Sequence, residues 1–128
     1  MNIQKKKIIL RERRHRRIRA KIKGTGELPR VALFRSNSHI YSQVIDDRGM
    51  ITLVSQSDIN LTEKDLKKPK DEKDVNKKQL KAFTVGILLA EKMKEKKILQ
   101  AVLDRGGYRY HGRIKAFTDG LRDGGIKI

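Results

Sequence analysis

The sequence has no cysteine and no tryptophan, only two prolines, and aromatic residues at just 5% of its 128 positions. Without cysteine there can be no disulfide and no thiolate metal site, a composition that fits a reducing compartment. No stretch reaches about eighteen consecutive apolar residues, so nothing reads as a membrane-spanning helix. The basic start is not followed by a continuous apolar segment, which argues against a secretory signal. Acids are scarce as well. Against Asp+Glu 15 stand Lys+Arg 32, a formal net charge of +17. That excess is larger than solubility requires and points to a polyanionic partner. Apolar and charged residues each make up 37%, so the core must be small. A chain of this length suits one compact domain, with part of it lying outside the core.

The charge is not spread evenly. Residues 1–30 hold twelve Lys or Arg against two Glu, a net of +10. Arg11, Arg13, Arg14, Arg16, Arg17 and Arg19 fall within nine positions, followed by Lys21 and Lys23. Like charges so crowded, with few apolar side chains among them, predict an extended or fluctuating segment when the chain is alone. Phosphates would remove the repulsion, and Ile18 and Ile22, four apart, would let a short helix with one apolar stripe form on binding. The segment has no Trp or Phe for the second face of a membrane-surface helix. Residues 1–24 therefore read as a basic extension and residues 25–128 as the folded core. Between them, Gly24, Gly26 and Pro29 mark a linker, and no strand and third glycine accompany the Gly-x-Gly to make it a nucleotide loop.

Three strands are predicted next: Val31–Arg35, His39–Asp46 and Met50–Ser55, joined by tight turns into an antiparallel meander. In the second, Ile40 and Val44 face one side and His39, Tyr41 and Gln43 the other. Asp46 and Asp47 read as turn formers. Residues 58–74 are a polar, lysine-rich connection predicted to be mobile. A long helix is expected over Val75–Lys97, with Leu80, Phe83, Ile87 and Ala90 recurring along one stripe and Val85, Leu88, Leu89 and Met93 widening it. Gly86 within it costs about 1 kcal/mol relative to alanine unless close packing requires it. A buried strand, Ile98–Asp104, and a final helix, Gly112–Asp123, with Ile114, Phe117 and Leu121 on one face, complete the order βββαβα. One parallel crossover in that order predicts a two- or three-layer α/β domain with a mixed sheet.

The densest chemistry lies in DRGGYRYHGR, Asp104–Arg113, between the buried strand and the last helix, where α/β folds present ligand-binding loops. Gly106 and Gly107 allow a partner to approach the backbone. Tyr108 and Tyr110 alternate with Arg105, Arg109 and Arg113, and His111 sits at the helix start. Aromatic rings that stack on bases beside guanidinium groups that grip phosphates suit RNA recognition. The three histidines, His15, His39 and His111, occur in separate contexts with no metal-binding spacing, and there is no nucleophile elbow. The competing class is a magnesium-dependent nuclease of ribonuclease H-like fold, which would use Asp104 at a strand end. The first strand offers it no carboxylate partner.

The strings RERRHRRIRAKIKGTGELPR, VALFRSNSHIYSQVIDD and VLDRGGYRYHGRIKAFTDGLRDGGIKI resemble the bacterial large-subunit ribosomal protein family numbered eighteen, from about residue 8 to the C-terminus. The resemblance implies a ribonuclease H-like core without nuclease activity and a basic N-terminal extension. It implies a structural protein of the cytoplasmic ribosome that binds 5S rRNA and helps attach it to 23S rRNA in the central protuberance, beside neighbouring ribosomal proteins. No cofactor, small-molecule substrate or membrane is implied. Binding roles follow for the arginine-rich extension, including His15, for Arg30, Arg35, Ser36, Asn37, His39 and Tyr41, and for Arg105 through Arg113. Two positions depart from the family's habit: Leu103 stands where Phe is usual, and Ile128 where a terminal aromatic is usual.

Overall fold

The computed structural model describes residues 2–22, 24–25, 27–70 and 75–128. Helix α1 (Ile3–Lys21) is followed by strands β1 (Arg30–Arg35), β2 (Ile40–Asp46) and β3 (Ile51–Ser57), then helix α2 (Lys77–Glu95), strand β4 (Val102–Asp104) and helix α3 (Arg113–Asp123). The sheet order is β3-β2-β1-β4, antiparallel between β3, β2 and β1 and parallel between β1 and β4. The meander, the crossover through α2 and the mixed sheet are as the sequence predicts, an α/β arrangement compatible with ribonuclease H-like topology.

Alternation places the core. Val31, Leu33, Ile40 and Val44 turn to one face of the sheet, where α2 and α3 cover them with Val85, Leu89, Met93, Ile114, Phe117 and Leu121. The face α2 buries runs through Ala82, Phe83, Val85, Gly86, Leu89, Ala90 and Met93. The expected stripe through Leu80 and Ile87 is rotated, since both are only half-buried. Gly86 is the cause. A Cβ there would run into the carbonyl oxygen of Phe117, and one on Gly120 into that of Phe83. The two helices cross with backbone against backbone, so the contact centres on the smallest residues rather than the largest. Leu103 and Ile128 are partly buried against this core.

Strand β4 is shorter than the predicted Ile98–Asp104. Val102 N donates to Pro29 O at 2.9 Å, and proline, having no N–H, ends pairing with β1 beyond that point. Residues 99–101 pair instead with the C-terminus: Ala101 N donates to Lys127 O at 3.0 Å and Lys127 N to Leu99 O at 2.9 Å. At the other edge of the sheet, β3 is shielded by α2. Lys92 Nζ donates to Ser55 O at 2.9 Å and Lys96 Nζ to Leu53 O at 2.6 Å, placing charge where an unpaired edge would otherwise recruit another strand. The connection after β3 holds a short 3-10 turn, Glu63–Asp65. Residues 71–74 of the predicted mobile stretch lie outside the described residues, as do Lys23 and Gly26.

The N-terminal segment differs most from expectation. It is a 19-residue helix, not an extended arm. Asn2 caps it by accepting from Lys5 N at 2.8 Å, and Arg, Lys, Leu and Ala are good helix formers. Apart from Ile9, its half-buried residues, Arg11, Arg14, His15 and Ile18, recur at three and four positions. The Ile18 stripe exists, but most of it is polar, which is why apolar periodicity showed so little of the helix. Among the described residues no helix is long and apolar enough to cross a membrane.

Candidate nucleic-acid interface

Helix α1 meets the sheet at the face opposite α2 and α3, over the end of β4. Asp104 terminates that strand at 1% exposure. One carboxylate oxygen accepts from Gly106 N at 3.0 Å. The other accepts from Arg30 Nη1 at 2.7 Å and lies 3.3 Å from His15 Nε2. Arg30 reaches a second carboxylate, donating from Nε and Nη2 to Asp47 at 3.1 and 3.0 Å, while Asp47 also accepts from Gly24 N at 2.7 Å. One buried guanidinium thus ties together β1, the end of β4, the β2–β3 turn and the chain leaving α1. The Arg30 hydrogen bond holds the Asp47 carboxyl below its ordinary 3.8, and Asp47 in turn raises Arg30 above its usual value.

Arg30, 6% exposed, is engaged internally with two carboxylates. The geometry also corrects one expectation. Asp47 is more than a turn former. Asp46 does fill that role, accepting from Arg48 N and Gly49 N. The nuclease alternative also fails on geometry: Asp104 and Asp47 are bridged by a guanidinium. No group of three His, Asp or Glu among the described residues is placed to hold a metal ion.

The glycines of the loop serve its own chain. Gly106 and Gly107 adopt φ of 65° and 79°, a left-handed conformation that L side chains avoid. A Cβ on Gly107 would strike the carbonyl oxygen of Arg11, and Arg14 Nε donates to Gly107 O at 2.9 Å. The partner that approaches this backbone is therefore α1, and Gly107 is buried beneath it. Tyr108 is also engaged. Its hydroxyl donates to Arg35 O at 3.0 Å, and the guanidinium carbons of Arg11 and Arg35 lie 5.0 and 5.2 Å from its ring centroid. The ring holds two arginines in place by cation–π attraction. Tyr110 is 41% exposed, its hydroxyl 3.4 Å from Arg122 Nη1.

The result is a basic crevice of about 570 Å³ between α1 and the loop, whose walls include Lys7, Arg11, Arg14, Arg35, Arg109 and His111. Arg13, Arg16, Arg17, Arg19 and Lys21 are exposed along the rest of α1. Arg105 is half-buried. Arg113 is turned inward, donating to Ser36 O at 2.9 Å and His39 O at 3.0 Å. Burial, then repulsion from Arg35, lowers its guanidinium below the usual value. It anchors the β1–β2 turn, in which His39 N donates to Ser36 Oγ at 3.0 Å and Asn37 is exposed. His39 Nδ1 stands 3.0 Å from the buried carboxylate of Asp58. Sequence reasoning missed Lys7 and Phe34. Phe34 was merged into an apolar run, although the alternation of Val31 and Leu33 already assigns it to the opposite face.

Similarity to known proteins covers both the cationic helix and the Gly-Gly-Tyr loop. Residues 5–128 match the family described as ribosomal L18 of archaea, bacteria, mitochondria and chloroplasts. Among similar proteins, the large ribosomal subunit protein uL18 of Solibacter usitatus (strain Ellin6076) is 49% identical over 126 residues, covering 98% of this chain and 97% of its own length. The protein of the same name from Streptococcus thermophilus (strain ATCC BAA-491 / LMD-9) is 46% identical over 121 residues, 93% and 92% of the two chains. Matches that run from the basic helix through the loop to the last strand-like residues leave one conclusion: the chain belongs to the ribosomal L18 family.

Proposed function

We propose that this chain, a structural and non-enzymatic ribosomal protein of the large subunit, binds 5S rRNA and helps attach it to 23S rRNA in the central protuberance, beside neighbouring ribosomal proteins. The observation that carries this reading is the convergence of charge. Of the net +17, residues 1–30 carry +10, most of it on helix α1, and that helix is docked where it forms a crevice with Arg35 and with Arg109 of the β4–α3 loop. Phosphate oxygens are the groups such a crevice binds, and a folded RNA offers many at once. Binding of a 5S rRNA transcript is expected to be tighter than that of a scrambled transcript of equal length in moderate salt, as read by filter binding. Equal affinity for the two overturns the assignment.

The proposal divides the chain into an RNA-binding extension, residues 1–24, and a core, residues 25–128. Removing residues 1–24 is expected to weaken RNA binding severely while α2 and α3 keep their circular-dichroism signal and cooperative melting. A truncated chain that unfolds would show that the extension is part of the core.

A further inference from the structure

We infer that Phe34 and Tyr41 form a seat for an unpaired RNA base, next to the crevice that takes the flanking phosphates. This rests on the RNA-binding reading above and names where in the molecule a base is held. Phe34 and Tyr41 are cross-strand partners on the sheet face turned away from α2 and α3, with ring centroids 6.1 Å apart and planes at 33°. Phe34 is 49% exposed. A large aromatic left open on a sheet surface forfeits the burial that usually stabilises it, so its exposure calls for a partner.

The surroundings say which partner. The two rings line a hollow of about 480 Å³ together with Arg35, His39 and Ile59. Arg35 and Tyr108 line both this hollow and the basic crevice, so the two are contiguous. Asp58, which lies between two residues that line the hollow, is buried and engaged by His39. An apolar ring beside fixed guanidinium groups fits a base with its phosphates better than it fits a protein side chain. Tyr108 is held by Arg11 and Arg35, which leaves Phe34 the more open aromatic surface. Every base has a π-face, and sheet aromatics are a recurrent way of stacking unpaired ones.

The absence of tryptophan makes the test direct. In the full chain, Phe34→Trp introduces a single indole. It is expected to bind 5S rRNA with near wild-type affinity and to lose emission on binding, since stacking quenches it. Phe34→Leu keeps an apolar side chain without a π-face and is expected to weaken binding about 5- to 100-fold with an unchanged melting temperature. A fully duplexed RNA of equal length is expected to leave the indole emission unaltered. Wild-type affinity for Phe34→Leu, emission unaltered by 5S rRNA, or equal quenching by the duplex each overturns the base seat while leaving RNA binding intact. If Phe34→Leu fails to fold, the emission of Phe34→Trp decides alone. A wild-type chain with no preference for 5S rRNA overturns the broader reading instead.

Discussion

Raising the salt from about 50 to 200 mM is expected to weaken binding to 5S rRNA on the order of 10³–10⁵-fold, the range for six to ten phosphate contacts on the duplex-DNA scale. The contacts available match that number. Lys7, Arg11, Arg14, Arg35 and Arg109 line the crevice, and Arg13, Arg16, Arg17, Arg19 and Lys21 are exposed on the same helix. Each phosphate neutralised releases condensed counterions, and that release loses its entropic advantage as the bulk salt rises. A plot of log affinity against log salt should be linear and steep. Replacing Arg13 and Arg17 together by glutamine should flatten it by about two contacts while leaving the preference among RNAs little changed, because phosphate contacts position and do not specify. A slope near zero for the wild-type chain would mean that the charge is not used in binding.

Arg30→Ala is expected to destabilise the fold by about 3–5 kcal/mol, the range for breaking a buried ion pair by removing one partner. Asp104, at 1% exposure, would be left with only His15 and the Gly106 amide, and Asp47 would lose both of its guanidinium bonds. Urea unfolding measures the loss. Arg30→Lys should recover only part of it, since an ammonium cannot hold two carboxylates with the fork geometry of a guanidinium. An Arg30→Ala chain with wild-type stability would show that α1 and the loop hold together without the tie.

The same tie sets an acid response. Asp47 has its folded-state value depressed below 3.8, chiefly by the Arg30 hydrogen bond. Its contribution is therefore present above the ordinary carboxylate range and is lost as pH falls through 3.8 toward the lower folded value. The Arg30→Ala chain should lack this part of the pH dependence.

Much of this was open to reading in one dimension. Period-two alternation in VALFR and HIYSQVID, apolar recurrence in the two helices and turn chemistry at Asp46–Gly49 are local properties, and local steric rules act on them directly. The basic extension and the Tyr/Arg loop were equally plain, since composition alone makes them conspicuous. What stayed hidden was pairing across long separations. Arg30 with Asp104 spans 74 residues and Arg14 with Gly107 spans 93. Nothing in the neighbourhood of either residue announces the other.

By itself, then, the amino-acid order determined the order of the core elements, most of their apolar positions and a cationic surplus suited to a polyanion, because propensity, periodicity and net charge are short-range or additive. The tertiary structure alone decided which arginines look outward and which are consumed within. It sent Arg30 inside and set Arg11 and Arg35 over Tyr108. It left Phe34 bare on the sheet, since burial and partnership depend on where distant segments meet.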